Sequence, residues 1–189
     1  EIFCRNFALK YNIDFFSKRI NIKNEADNLK ISEEEAGRKK RYEFFDFVLK
    51  AHKYDFIATA HHKDDNAEQV LMNIVRGTGV EGLVGIPAKR DNIIRPVLNI
   101  KKDEILEFLH KNEIDYCTDK TNFETDFLRN RIRNNLIPYL EKNYNPLIKK
   151  SLFNLADIAK EENSYINKAI EKDIEKIIQF KNKTVFVDL

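Results

Sequence analysis

With 189 residues, 42% of them hydrophobic and including 14 Phe and 7 Tyr, the chain has ample material for a packed core, which excludes global disorder. Charged residues make up 34% but nearly cancel to a formal net charge of +2, so a globally basic nucleic-acid coat is excluded and any basic patch is local. No run approaches the ~18 apolar residues of a membrane span, and the isolated Cys4 and Cys117 suggest a reducing cytoplasm rather than a disulfide scaffold.

Along the chain, Ile2, Phe3, Phe7, Ala8 and Tyr11 stand near helical spacing and predict a surface helix over 2–11, lying on a sheet and already under way at the first residue. The segment 13–22 (IDFFSKRINI) is rich in β-formers and predicts a strand, with KNEADNLK as an exposed polar loop after it. Ser32, with Glu35 three residues on, forms a capping box that starts a helix near Glu33. Tyr42, Phe45, Val48 and Leu49 form its buried side, and Gly37 inside it either admits a close neighbour or is merely tolerated. The apolar run 54–60 (YDFIATA) predicts a buried strand. After it come a polar cluster, helix-spaced Val70, Leu71, Ile74 and Val75, and a glycine-rich close with Gly77, Gly79, Gly82 and Gly85. Residues 92–98 (NIIRPVL) predict a short strand that Pro96 confines to an edge or an end. A helix over 100–111 turns Ile105, Phe108 and Leu109 inward, and a loop follows at 114–122. Residues 125–143 predict a helix that Pro138 kinks or ends. Residues 146–178 predict one long helix or two, and TVFVDL a strand or linker. Strand–helix alternation to about residue 120, then helices alone, predicts an α/β unit followed by a helical one.

Three constellations carry chemistry. Directly after the apolar run stand His61, His62, Asp64, Asp65 and Glu68. Asp64 and Glu68 are spaced i, i+4, and Asp65 and Glu68 i, i+3, so a helix brings these carboxylates to one face, able to hold Mg2+, bind an amine or act as a general base. The strand-to-helix turn at His61 and His62 favours phosphate. Simple helix capping by the acids, or a His/His/Asp/Asp metal set suited to a hydrolase, are the other readings. Gly77 and Gly79 in RGTGVEGLVG let a backbone come close to a phosphate or nucleic acid, or form only a flexible loop. The basic residues Arg38, Lys39, Lys40 and Arg41 precede the strand, with Lys39 and Lys40 read as solvated. In RNRIR, Arg129 and Arg133 share a face, with Arg131 between them, and arginine forks suit phosphate oxygens. His52 and His110 at helix ends read as solvent-facing or dipole partners.

Four pieces, EEEAGRKKRYEFF, IATAHHKDDNAEQVLMNIVRGTGVEGLVGIP, IIRPVLNIKKDEI and DYCTDKTNFETDFLRNRIRNNLIPYL, together resemble the tRNA(Ile)-lysidine synthase family of the PP-loop ATP pyrophosphatase superfamily. The resemblance implies a partial Rossmann-like parallel sheet of the adenine nucleotide alpha hydrolase type with flanking helices over 1–144, followed by the start of a helical C-terminal domain over 145–189. It also implies an ATP-dependent, AMP- and pyrophosphate-forming carbon–nitrogen ligase that joins L-lysine to the wobble cytidine of tRNA(Ile) with a CAU anticodon. On this resemblance Asp65 and Glu68 orient the lysine amine and take its proton, while Arg41, Arg133 and one of His61 or His62 stabilise charge on the α-phosphate. Asp64, Arg131, Gly77 and Gly79 join the substrate-binding set, with Asn122 and Arg129 in support. Mg2+ is expected to be held mostly by ATP itself.

The family's Ser-Gly-Gly-x-Asp-Ser phosphate loop is absent from this sequence, as is an initiating Met. An internal fragment that does not turn over ATP alone is therefore expected, with oligomeric state left open, a homodimer included. Two rivals stand beside this reading: a metal-dependent hydrolase using His61, His62, Asp64 and Asp65, and a non-catalytic tRNA-binding module built on Arg129, Arg131 and the 146–178 helices.

Overall fold

A computed structural model describes residues 1–118, 128–181 and 184–187. At its centre is α4 (Lys63–Arg76), whose Ala67, Val70 and Leu71 recur at i, i+3 and i+4 and are all buried. Against them pack Ile132 and Ile137 from a later helical run and Leu152 and Ala156 from α9 (Ile148–Ile177), giving one core. Each fully buried aliphatic side chain here contributes about 1.5–3 kcal/mol. Two polar ties strap the start of α9 to the start of α4: Lys63 Nζ sits 3.9 Å from the Phe153 ring centroid, and Lys149 Nζ lies 3.5 Å from Asp64.

The chain enters through α1 (Ile2–Lys10), α2 (Ile22–Leu29) and α3 (Glu33–His52). The helix start expected near Glu33 holds for α3, with the N-cap half of the expected box: Ser32 Oγ accepts the Glu35 N–H at 3.2 Å, and Leu49 is buried with Tyr42, Phe45 and Val48 half-buried. The strand expected over 13–22 is absent, and the expected loop after it is helix α2. Asn21 supplies the reason: its Oδ1 accepts the Asn24 N–H, starting a helix that packs Ile22 and Ala26 toward α3. A further tie runs from Glu25 to Lys40 at 3.0 Å, so Lys40 is ion-paired rather than solvated. Gly37 meets only ordinary contact, with Ile22 Cγ2 3.8 Å from where a Cβ would stand.

β1 (Ile57–Ala58) pairs in parallel with β3 (Ile93–Ile94), and β3 pairs antiparallel with β2 (Lys89–Arg90), giving the order β1-β3-β2. The result is a mixed α/β fold, mostly helical, around a small sheet with a parallel pair. β1 is shorter than the apolar run implied and is not buried: Ile57 is half-buried and Ala58 exposed, because β1 stands at the sheet edge. Pro96 lies two residues beyond β3, at a strand end as its missing N–H requires.

In α6 (Lys102–Lys111) Ile105, Leu106 and Leu109 face the protein, whereas Phe108, expected inward, is 60% exposed. Leu106 turns the apolar stripe about 100° away from Phe108. The helical run α7 (Leu128–Arg131), a π-turn (Ile132–Leu136) and α8 (Ile137–Asn143) passes Pro138 without ending. Instead of a break, the chain widens to an i+5 bond, Ile137 N–H to Ile132 O, just before the proline ring. α9 is a single helix of 30 residues, and the strand expected at the C-terminus is β5 (Thr184–Val187), paired antiparallel with β4 (Ile178–Lys181).

Candidate functional site

The chain leaves β1 and enters α4 through two histidines that the structure separates by task. His62 caps the helix: its Nδ1 accepts the Asp65 N–H at 3.4 Å, while Asp65 Oδ2 accepts the His62 N–H at 2.9 Å. His61 instead lines a cleft, with Thr59 Oγ1 3.0 Å from its Nδ1. Burial lowers the His61 pKa, Asp65 opposes this, and the guanidiniums of Arg129, Arg95 and Arg38 lower it further, so the ring is neutral at pH 7.

The Asp64 carboxylate is bound apart from the Asp65–Glu68 pair. Its Oδ2 accepts the Lys102 N–H at the start of α6, 3.0 Å away, and its Oδ1 meets Lys149. Burial alone would raise this carboxyl, but the Lys102 N–H and the charges of Lys149 and His62 outweigh it and hold the pKa below its ordinary value. A depressed carboxylate contributes stability above its unfolded pKa of about 3.9 and loses it as pH falls through the folded value. Asp64→Asn is therefore expected to flatten the acid limb of the stability curve below about pH 4, measured as urea midpoints against pH. An acid limb identical to the parent's would refute this linkage.

Asp65 and Glu68 are buried and meet two arginines from α7 and the π-turn. Arg129 donates from Nε to Glu68 Oε2 and from Nη2 to Asp65 Oδ1, both at 3.1 Å. Arg133 donates from Nε to Glu68 Oε1 at 2.6 Å, and from Nη2 to Asp65 Oδ1 at 2.8 Å and Glu68 Oε2 at 2.7 Å. The hydrogen bond to Glu68 leads in raising the Arg133 pKa. With His62 N–H on Asp65 Oδ2, every carboxylate oxygen of the pair already carries a donor. This differs from the expected amine-orienting arrangement: the acids anchor guanidiniums, and an amine reaches them only by displacing one.

The cleft, of about 1020 Å³, is lined by His61 together with Arg38, Arg41, Arg90, Arg95 and Arg129. One wall is the turn 85–87, held by Asn66 Oδ1, which accepts the Ile86 N–H at 2.6 Å. Such a concentration of guanidiniums beside a neutral imidazole, at the end of a strand that pairs in parallel, suits a polyanion and especially phosphate. Thus Asp65, Glu68, Arg129 and Arg133 come together, and Arg41 and His61 share the cleft with Arg129. Arg131 is exposed and lines a separate apolar hollow with Val75 and Tyr139. Gly77 caps α4 at φ 79°, and Gly77 and Gly79 are both exposed outside the cleft. Asn122 lies outside the described residues. Sequence reasoning missed Arg95, Arg90 and Asn66; the available signal for Arg95 was a charged residue in an apolar run just past a strand.

Comparison with known proteins follows the same outline. The PP-loop domain pattern matches residues 1–140. The chain is 38% identical over 187 residues to the tRNA(Ile)-lysidine synthase of Clostridium tetani, covering 98% of this chain and 39% of that protein. It is 38% identical over 179 residues to that of Persephonella marina (95% and 39%), and 41% identical over 158 residues to that of Petrotoga mobilis (84% and 50%). The chain thus spans 39% of the length of the first of these relatives. Among solved structures it resembles the U34-tRNA thiolase NcsA from Methanococcus maripaludis with its 4Fe-4S cluster. That likeness, one of fold, has a TM-score of 0.59 at 23% identity and covers 83% of this chain and 56% of that one.

Proposed function

We propose, from the fact that this chain belongs to the PP-loop domain family, that the native protein uses ATP to join L-lysine to the wobble cytidine of tRNA(Ile) bearing a CAU anticodon. The observation that carries this is the arginine-lined cleft in which Arg129 is held by the buried Asp65 and Glu68. In the first step the cytosine C2 oxygen attacks the α-phosphate of ATP and pyrophosphate leaves. In the second the lysine ε-amine attacks C2, the C2–oxygen bond breaks, AMP departs with that oxygen, and the amine gives up a proton.

Arg41 and Arg129 supply fixed positive charge to the phosphates, and His61 offers a neutral ring beside them. Asp65, Glu68 and Arg133 position Arg129 rather than touch the substrate, and His62 and Asp64 fix the start of α4. Arg131 and the exposed Gly77 and Gly79 are placed for contact with RNA outside the cleft, with Asn122 in support. Residues 1–144 belong to an N-terminally truncated catalytic unit, and 145–189 begin a helical domain. ATP would bring Mg2+ with it.

The test incubates the native protein with ATP, L-lysine and a tRNA(Ile) transcript, digests the RNA, and looks by mass spectrometry for cytidine carrying lysine. Arg41, exposed and bonded to no carboxylate among the described residues, gives the cleanest variant. Arg41→Met is expected to lower kcat about 100-fold while the unfolding midpoint stays put. No modified nucleoside, or full activity in Arg41→Met, would count against the proposal.

A further inference from the structure

We infer that Arg95 is a built-in phosphate receptor of the cleft, its guanidinium awaiting an anion that no described residue supplies. The residue is 6% exposed, yet among the described residues its side chain bonds only from Nη1 to Pro87 O at 2.6 Å, and its buried Nε has no partner there. Its backbone is fixed as well, the N–H donating to Ala88 O at 2.9 Å. No carboxylate among the described residues lies within ion-pair distance of it, in contrast to Arg129 and Arg133 with their shared acids.

Burying a cation without a counter-charge is costly, and a buried polar hydrogen left unbonded adds to the cost. Here the neighbours worsen it, because the cleft around Arg95 is lined by Arg38, Arg41, Arg90 and Arg129. Its acidic lining residues, Glu33 and Glu34, are exposed on the first turn of α3 and bond to none of these arginines. One ligand chemistry relieves every term together: a phosphate oxygen accepting from Nε while its charge balances the guanidinium. The oxygen can belong to the nucleotide or to the RNA backbone. The assignment deepens the ATP- and tRNA-dependent reading above and rests on it.

Arginine Nε–H resonances of the native, nitrogen-15-labelled protein give a direct readout, with Arg95 identified by its loss in Arg95→Lys. Inorganic pyrophosphate is titrated in one arm and a CAU anticodon stem-loop RNA in the other. A shifted, exchange-protected Arg95 signal with pyrophosphate assigns the subsite to the nucleotide. The same response with RNA alone assigns it to the nucleic-acid backbone. Arg95→Lys is expected to weaken the responding ligand about 10- to 100-fold, the range of one charge-assisted hydrogen bond. An Arg95 signal unmoved in both arms overturns the inference. Because neither arm requires turnover, lysidine formation with a silent Arg95 defeats only this inference, and a responsive Arg95 without lysidine defeats only the proposed reaction.

Discussion

Replacing Glu68 with alanine is expected to destabilise the protein by about 3–5 kcal/mol, the range for removing one partner of a buried ion pair. Glu68 is 4% exposed and accepts from Arg129 at Oε2 and from Arg133 at both oxygens. Without it two guanidiniums face Asp65 alone, and three N–H groups lose a charged acceptor. Glu68→Gln keeps the shape and one acceptor oxygen and should lose less. The double variant Glu68→Leu with Arg133→Leu should recover part of the loss, because an apolar pair of similar volume needs no desolvation of charge. Urea unfolding at constant m measures all three. A Glu68→Ala loss under about 1 kcal/mol would mean the four side chains do not act as a unit. Since the same carboxylate holds Arg129 at the cleft, pyrophosphate affinity should fall along with stability.

The pairing of acids on α4 with arginines sixty-odd residues later was legible in part, because both sets carry helical spacing: Asp65 with Glu68, and Arg129 with Arg133. Spacing says which residues share a face but not what that face meets. Hence the acids read as free bases, whereas the fold presses them against the guanidiniums. Asp64 shows the same limit from the other side: its i, i+4 relation to Glu68 is real, yet the N-terminus of α6 lies closer and takes the carboxylate. Local signals did best where the partner is local. Ser32 and Glu35 fixed the start of α3, and Pro96 the end of β3. The segment 13–22 misled because β-formers make a strand only beside a neighbouring strand, while Asn21 can start a helix unaided. The role of Arg95, as distinct from its oddity in an apolar run, was illegible for a related reason. Its neighbours in sequence are apolar, and its buried, uncompensated charge exists only after β3 and the 85–87 turn have been brought together.

That turn gives the second large effect. Gly85→Ala is expected to cost about 2–5 kcal/mol, from two separable sources. Gly85 has φ 74°, a left-handed conformation in which a side chain costs about 1–2 kcal/mol. The added Cβ would also overlap Asn66 Oδ1 and stand 3.1 Å from Val70 Cγ2. Asn66 is 5% exposed and its Oδ1 holds the Ile86 N–H, so it yields only by breaking that bond, at about 1–3 kcal/mol for a buried group left unsatisfied. Two sister substitutions separate the terms. Gly77→Ala shares the positive φ, at 79°, but opens onto empty space, so it should show the backbone term alone. Gly79→Ala has neither an unfavourable φ nor a neighbour within 4 Å and should lie within about 0.5 kcal/mol of the parent. The predicted order is Gly85, then Gly77, then Gly79. If Gly85→Ala cost no more than Gly77→Ala, the close fit of the turn against α4 would be disproved, and with it the rigid wall that sets Pro87 O against Arg95.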